Sequence, residues 1–275
     1  MSPVLVLGID GVRHDALCAA STPELDRLAT AGFRVPVPVA ADSPTISGPC
    51  WTTIATGLPA PVHGVRDNAT PGNPVRPDFL SRIRAARPGT TTFAAAGWAP
   101  LVRPVGCGPI FAGHGFRPLA PDERYDVAAA NRADEAIVAA TVDVLSAGTE
   151  AGTPAAAFVH LGTPDLVAHR DGVAIGYRQA IETADRRAGR ILAAVRARAA
   201  ATGEDWTVLV ATDHGHRDGG GHGGDSVAER AAWLIAAGPG VPRRPPSMPT
   251  QADIYPLVLS AAGVRPADAG GEADG

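Results

Sequence analysis

Five short, almost unbroken apolar runs constrain this chain more than any other feature: "PVLVLGI" (3–9), "TTFAAA" (91–96), "AAAFVHL" (155–161), "WTVLVAT" (206–212) and "AAWLIAA" (231–237). A strand with one wet face alternates apolar and polar residues; a strand covered on both faces need not. Helical patterns fall between the runs at about 23–31, 47–56, 75–87, 127–147, 173–201 and 252–262. Strands alternating with helices predict an α/β fold, with a central, mostly parallel sheet and helices on both faces. A chain of 275 residues can bury one large core. The expected organisation is a single domain over 1–265 followed by a disordered tail, "PADAGGEADG", at 266–275. Residues from about 62 to 125 are rich in Pro, Gly and Arg and read either as a cap or insertion or as surface loops.

Charge excludes several kinds of chemistry. All 24 basic residues are arginine, so a P-loop lysine, a Schiff base and a lysine general base are ruled out. Net charge is −4 with both signs interspersed, which leaves no evident nucleic-acid or membrane surface. The three cysteines (Cys18, Cys50, Cys107) are scattered, and "MSPVLVLGID" has no basic leader ahead of its apolar run. Free thiols and a cytoplasmic location are the expectation.

Chemistry concentrates where the runs end. Three of them lead into an aspartate: Asp10 in "VLVLGID", Asp165 in "AAAFVHLGTPD" and Asp213 in "WTVLVATD". Sites in open α/β sheets assemble beyond the carboxyl ends of the strands, so these three carboxylates should converge. His169 follows Asp165 by four residues, one helical turn, and "DLVAH" can place both on one face. In "ATDHGHRDGGGHGGDS" (211–226), Asp213 and His214 are adjacent, and His222 follows a run of glycines that lets the backbone turn sharply and approach a site closely. Mixed imidazole and carboxylate donors suit zinc, with manganese second.

Ser47 lies in "SPTISGPCWTTIATG" just before Gly48-Pro49 and a helical run. That places its hydroxyl at a helix N-terminus, either as a nucleophile beside an anion-binding turn or as a plain helix cap. Thr45 competes for the same role two residues earlier.

Taken in order, "GIDG", the hydroxyl nine residues before Thr56-Gly57, His63-Gly64, "DLVAH", "DHG" and "GGHGG" resemble the alkaline phosphatase superfamily, specifically its nucleotide pyrophosphatase/phosphodiesterase-like branch. The resemblance runs from residue 4 to about 264 and includes "QADIYPLVLSAAGV", similar to that family's C-terminal helix. It implies an alkaline-phosphatase-like layered fold and a phosphoric-ester hydrolase of phosphodiesterase type, acting on a small phosphate ester or nucleotide. It implies Ser47 as nucleophile and two divalent ions: Asp165, His169 and His222 on one, Asp10, Asp213 and His214 on the other, with Ser47 joining them. Phosphomonoesterase, phosphonate hydrolase or phosphomutase activity, and a non-catalytic metal-stabilised binding protein, are the alternatives. Two positions depart from the family: Ser47 stands where threonine is usual, and Cys50 where an asparagine expected to touch the phosphate stands. Sulfatases of the superfamily carry Cys/Ser-x-Pro-x-Arg; here Trp51 replaces the arginine, which disfavours that activity. Arg13, Arg66, Arg103 and Arg117 are candidate phosphate contacts, while His63, His114, His160 and His216 match no ligand position.

Overall fold

The computed structural model describes residues 2–72, 76–112, 114–118, 126–147, 154–245 and 247–265. The expected tail at 266–275 lies outside them, as does the side chain of His114. Seven strands form one sheet: β1 (Val4–Ile9), β2 (Phe33–Pro36), β3 (Thr91–Ala96), β4 (His114–Phe116), β5 (Pro154–Leu161), β6 (Thr207–Ala211) and β7 (Trp233–Ala237), in the order β2-β7-β6-β1-β5-β3-β4. The five strands from β6 to β4 run parallel, whereas β7 is antiparallel to both β6 and β2. Helices α1 (His14–Ala19), α2 (Pro23–Ala31), α3 (Ser47–Thr56), α4 (Ala60–His63), α5 (Phe79–Ala86), α6 (Val127–Ser146), α7 (Thr163–Asp171), α8 (Ile175–Thr202) and α9 (Ile254–Ala261) surround it.

The unbroken apolar runs have a physical cause. β1 sends Val4 and Val6 into one core, with Trp51, Phe79, Phe158 and Tyr255. It sends Leu5, Leu7 and Ile9 into the other, with Tyr177, Ile181 and Trp233. Because successive strand side chains point to opposite faces, a strand between two helical layers needs an apolar residue at every position. All seven residues from Val4 to Asp10 are buried, the last of them an aspartate.

β2 and β4 escape the sequence pattern for the opposite reason. β2 is a four-residue edge strand, "FRVP", that buries only Phe33 and ends at a proline, and β4 is three residues long. Edge strands of this length carry neither a continuous nor a sustained alternating signal.

Candidate active site

β6, β1 and β5 are adjacent and parallel, so their carboxyl ends meet along one edge of the sheet. Asp10 follows β1 directly, Asp213 lies two residues past β6, and Asp165 is in the first turn of α7 just beyond β5. His169 follows one turn later on α7, four residues on and on the same face. Ser47 opens α3, but not as its cap: the N-cap is Ile46, and no side chain caps the helix. Its hydroxyl is instead directed at the cluster, 3.2 Å from His214 Nε2.

All seven residues singled out from the sequence come together. His214 Nε2 lies 3.2 Å from Asp213 Oδ2 and 3.8 Å from Asp10 Oδ1. His222 Nε2 is 2.9 Å from His169 Nε2, and both are 3.6 Å from Asp165 Oδ1. The His214 and His222 rings stack with centroids 3.7 Å apart, which joins the two halves of the cluster. His214 Nδ1 faces the carbonyl of Gly215 at 3.1 Å. A carbonyl can only accept, so in the neutral ring Nδ1 carries the proton and Nε2 keeps its lone pair toward Ser47.

Two carboxylates are each half used. Asp10 Oδ2 accepts from His160 Nε2 at 2.8 Å and from the Trp51 indole N–H at 3.1 Å, while Oδ1 is buried without a partner. Asp213 Oδ1 accepts from the Gly11 amide at 3.1 Å, while Oδ2 is likewise buried without a hydrogen-bond partner. An unpartnered buried carboxylate oxygen is costly unless a cation or proton meets it. Among the described residues, two sets of ligand atoms, each within 4.8 Å of one another, could hold metal: Asp10, Asp213 and His214; and Asp165, His214, His216 and His222. The donor set therefore fits divalent cations, and sharing His214 places the two candidate positions side by side.

Most groups of the cluster are shifted toward their neutral forms, Asp10 excepted. Burial and the charge of Asp10 raise Asp165 to about 7, and the same two causes push Asp213 well above the usual carboxylate range. Burial opposes ionisation of Asp10 too, but the His160 hydrogen bond, the charges of His160 and His214, and the Trp51 bond outweigh it and hold that carboxyl low. Burial, with His222 next to it, keeps His214 far below its ordinary value, and burial lowers His216 to about 4. Neutral imidazoles with free lone pairs are the form a metal takes up.

Gly11 explains the second glycine of "GIDG". It sits at φ +66°, and a Cβ there would lie 2.6 Å from His216 Nε2 and 2.8 Å from Asp165 Oδ1. No other residue lets the β1 turn pass so close to the cluster.

Several participants were not read as ligands from the sequence. His216 Nε2 lies 2.9 Å from Asp165 Oδ1, and His160 and Trp51 orient Asp10. Asn68 Oδ1 accepts from the Gly48 amide at 2.8 Å, on the turn that carries Ser47. Cys50, which stands where the family's asparagine is expected, does not turn toward the cluster. Three residues into α3, the Cys50 side chain faces the core, is fully buried and donates from Sγ to the Pro44 carbonyl at 3.4 Å. Arg13 is occupied within the protein by Asp15 and Asp218. His63 is fully buried between Thr53 Oγ1 and the Val65 amide, a packing role.

Residues 4–235 match the family model for type I phosphodiesterase / nucleotide pyrophosphatase. The chain belongs to this family. No curated protein matches it in sequence. Among solved structures, an inactive variant of murine ectonucleotide pyrophosphatase/phosphodiesterase 5 in complex with AMP is similar at TM-score 0.71 and 16% identity, over 99% of this chain and 98% of that one. The human ectonucleotide pyrophosphatase/phosphodiesterase 5 is similar at TM-score 0.71 and 14% identity, over 98% and 97%. BT1596, a 2-O GAG sulfatase, is similar at TM-score 0.75 and 14% identity, over 98% of this chain and 72% of that one. At these identities the likenesses show a shared fold. Among its described residues, no helix is long and apolar enough to cross a membrane.

Proposed function

We propose that the protein is a two-metal phosphoric-ester hydrolase that cleaves phosphodiesters, nucleotides among them, through a covalent phosphoryl intermediate on Ser47. The observation that carries this reading is Ser47, itself buried, whose hydroxyl is directed at His214 within a buried Asp/His cluster whose Asp10 Oδ1 and Asp213 Oδ2 lack hydrogen-bond partners. Asp165, His169 and His222 would hold one ion, and Asp10, Asp213 and His214 the other, with Ser47 between them. Zinc ions bound there would supply Lewis acidity to the attacking and leaving oxygens and make the serine hydroxyl a stronger nucleophile.

The chain's own residues do the rest. The α3 turn fixes Ser47 so that Oγ, giving up its proton, can form a bond to phosphorus while the bond to the ester oxygen opposite it breaks and the departing alcohol takes up a proton. Water then cleaves the phosphoserine bond and restores the hydroxyl. The N-terminal end of α3 points its positive dipole at the same place, where the phosphoryl anion would sit. Charge supply favours diesters. Among the described residues no arginine pairs with Asp10, Asp165 or Asp213, and Arg13 is already neutralised by two carboxylates. A diester monoanion needs less compensating charge than a monoester dianion. The sulfatase-like fold does not carry sulfatase activity with it: Trp51 is fully buried against Asp10 where the sulfatase signal has arginine.

Parallel kinetics on bis-p-nitrophenyl phosphate, p-nitrophenyl phosphate and p-nitrophenyl sulfate test this, each with and without chelator. The expected order in kcat/KM is diester, then monoester, with no sulfatase turnover and none of any kind after chelation. A monoester value above the diester value would assign an alkaline-phosphatase-like monoesterase. Activity that survives chelation would instead favour His214 as a general base for Ser47, which the 3.2 Å contact also permits.

A further inference from the structure

His222 stands at the far end of a loop of glycines, which by itself would leave an imidazole with many orientations. Thr45 removes that freedom. It is fully buried, two residues before Ser47, and it meets the loop at three points. Its hydroxyl donates to the Gly224 carbonyl at 2.9 Å and accepts from the Gly223 amide at 2.9 Å. Its carbonyl faces His222 Nδ1 at 2.7 Å. Gly223 reaches this hydroxyl at φ +109°, a conformation that side chains disfavour.

The third contact fixes a proton. A backbone carbonyl cannot donate, so His222 Nδ1 carries the hydrogen and Nε2 carries the lone pair. That Nε2 faces Asp165 Oδ1 at 3.6 Å and His169 Nε2 at 2.9 Å. An imidazole held by a backbone carbonyl on one nitrogen is oriented for a metal on the other.

We propose that Thr45 is a positioning residue: it latches the glycine loop to the segment carrying Ser47, so that His222 presents Nε2 and the nucleophile and one metal position are assembled together. This rests on the metal reading of the site given above. Thr45 touches neither substrate nor ion; it acts through His222.

Zinc binding to the full-length protein, by calorimetry or competition with a chromophoric chelator, separates the two readings. The wild type should take up two equivalents, and His222→Ala should lose one of them. Thr45→Val has nearly the same shape but loses both hydroxyl bonds; it should weaken one equivalent by roughly 10–100-fold and leave the other unchanged. Thr45→Ser keeps the hydroxyl and should restore wild-type affinity. A wild type that binds no zinc overturns the metal reading and this role together. A wild type that binds two, with a folded Thr45→Val variant equal to it, overturns the role of Thr45 alone. A measurement without substitution guards against a valine variant that does not fold. Proton–nitrogen NMR of the metal-free imidazoles, with His222 assigned by its absence from His222→Ala, should show the Nδ1–H tautomer; the Nε2–H tautomer would refute the latch.

Discussion

Replacing Asp134 by alanine should unlatch α7, the helix that carries Asp165 and His169. Gly162 caps α7 with no side chain of its own, and the acceptor comes from α6 instead. Asp134, 1% exposed, accepts from the Gly162 amide at 3.0 Å and the Thr163 amide at 3.1 Å, and Arg187 from α8 joins it at 3.3 Å. Removing the carboxylate leaves two amides unpaired at a helix start, at about 1–3 kcal/mol each where water cannot reach. Breaking a buried ion pair can cost a further ~3–5 kcal/mol, but Arg187 keeps Glu135 at 2.9 Å and the Asn131 side chain at 2.9 Å, so most of that term is avoided. The expected loss is about 3–4 kcal/mol, a large part of a total near 5–15 kcal/mol. Urea denaturation of the metal-free protein should show it as a lower midpoint at unchanged slope, and thermal unfolding as a drop of about 6–16 °C. Asp134→Asn keeps one acceptor oxygen and should lose about half as much. A loss below about 1 kcal/mol at unchanged slope would mean that α7 is held by packing alone, and the reasoning would fail.

Ser47→Ala should fold, keep both zinc equivalents and lose at least about 10⁴-fold in diester kcat, since it removes the nucleophile; near-normal turnover, or a phosphoryl adduct trapped on Thr45, would show that the wrong hydroxyl was chosen. His63 gives a pH effect away from the site: burial lowers it to about 4 from an ordinary 6.5. Its stability contribution is therefore complete above pH 6.5 and falls by about 3 kcal/mol as the pH drops toward 4, because only the unfolded chain takes up the proton. His63→Gln should flatten that part of the stability–pH profile, and an unchanged slope would refute the assignment.

The central strands were legible because burial on two faces leaves a composition that few other environments demand, as the split of β1 between two cores shows. The edges were not. β2 pairs antiparallel with β7 through four residues, and nothing in "FRVP" distinguishes that pairing from a loop. The ligand-type residues were legible for a related reason. Asp10, Asp165 and Asp213 sit beyond strands whose position could be read, and a carboxylate following an aliphatic strand is conspicuous.

What stayed hidden was the set of groups that address backbone rather than side chains. Thr45 holds Gly223 and Gly224, Asn68 holds Gly48, and Asp134 holds Gly162 and Thr163. A backbone N–H donates to any nearby oxygen, so neither partner leaves a residue-type signature, and spacing cannot reveal contacts made across the fold. Trp51 and His160 lie between these cases. Read from the sequence, Trp51 only argued against a sulfatase by what it lacked. In the fold it does something of its own: with His160 it ties up Asp10 Oδ2, so that Asp10 turns only Oδ1 toward His214. An arginine at that place would bring a full positive charge against the same carboxylate. A neutral indole donor leaves more of its negative charge for a metal, which is what a site with no lysine and few available arginines would need.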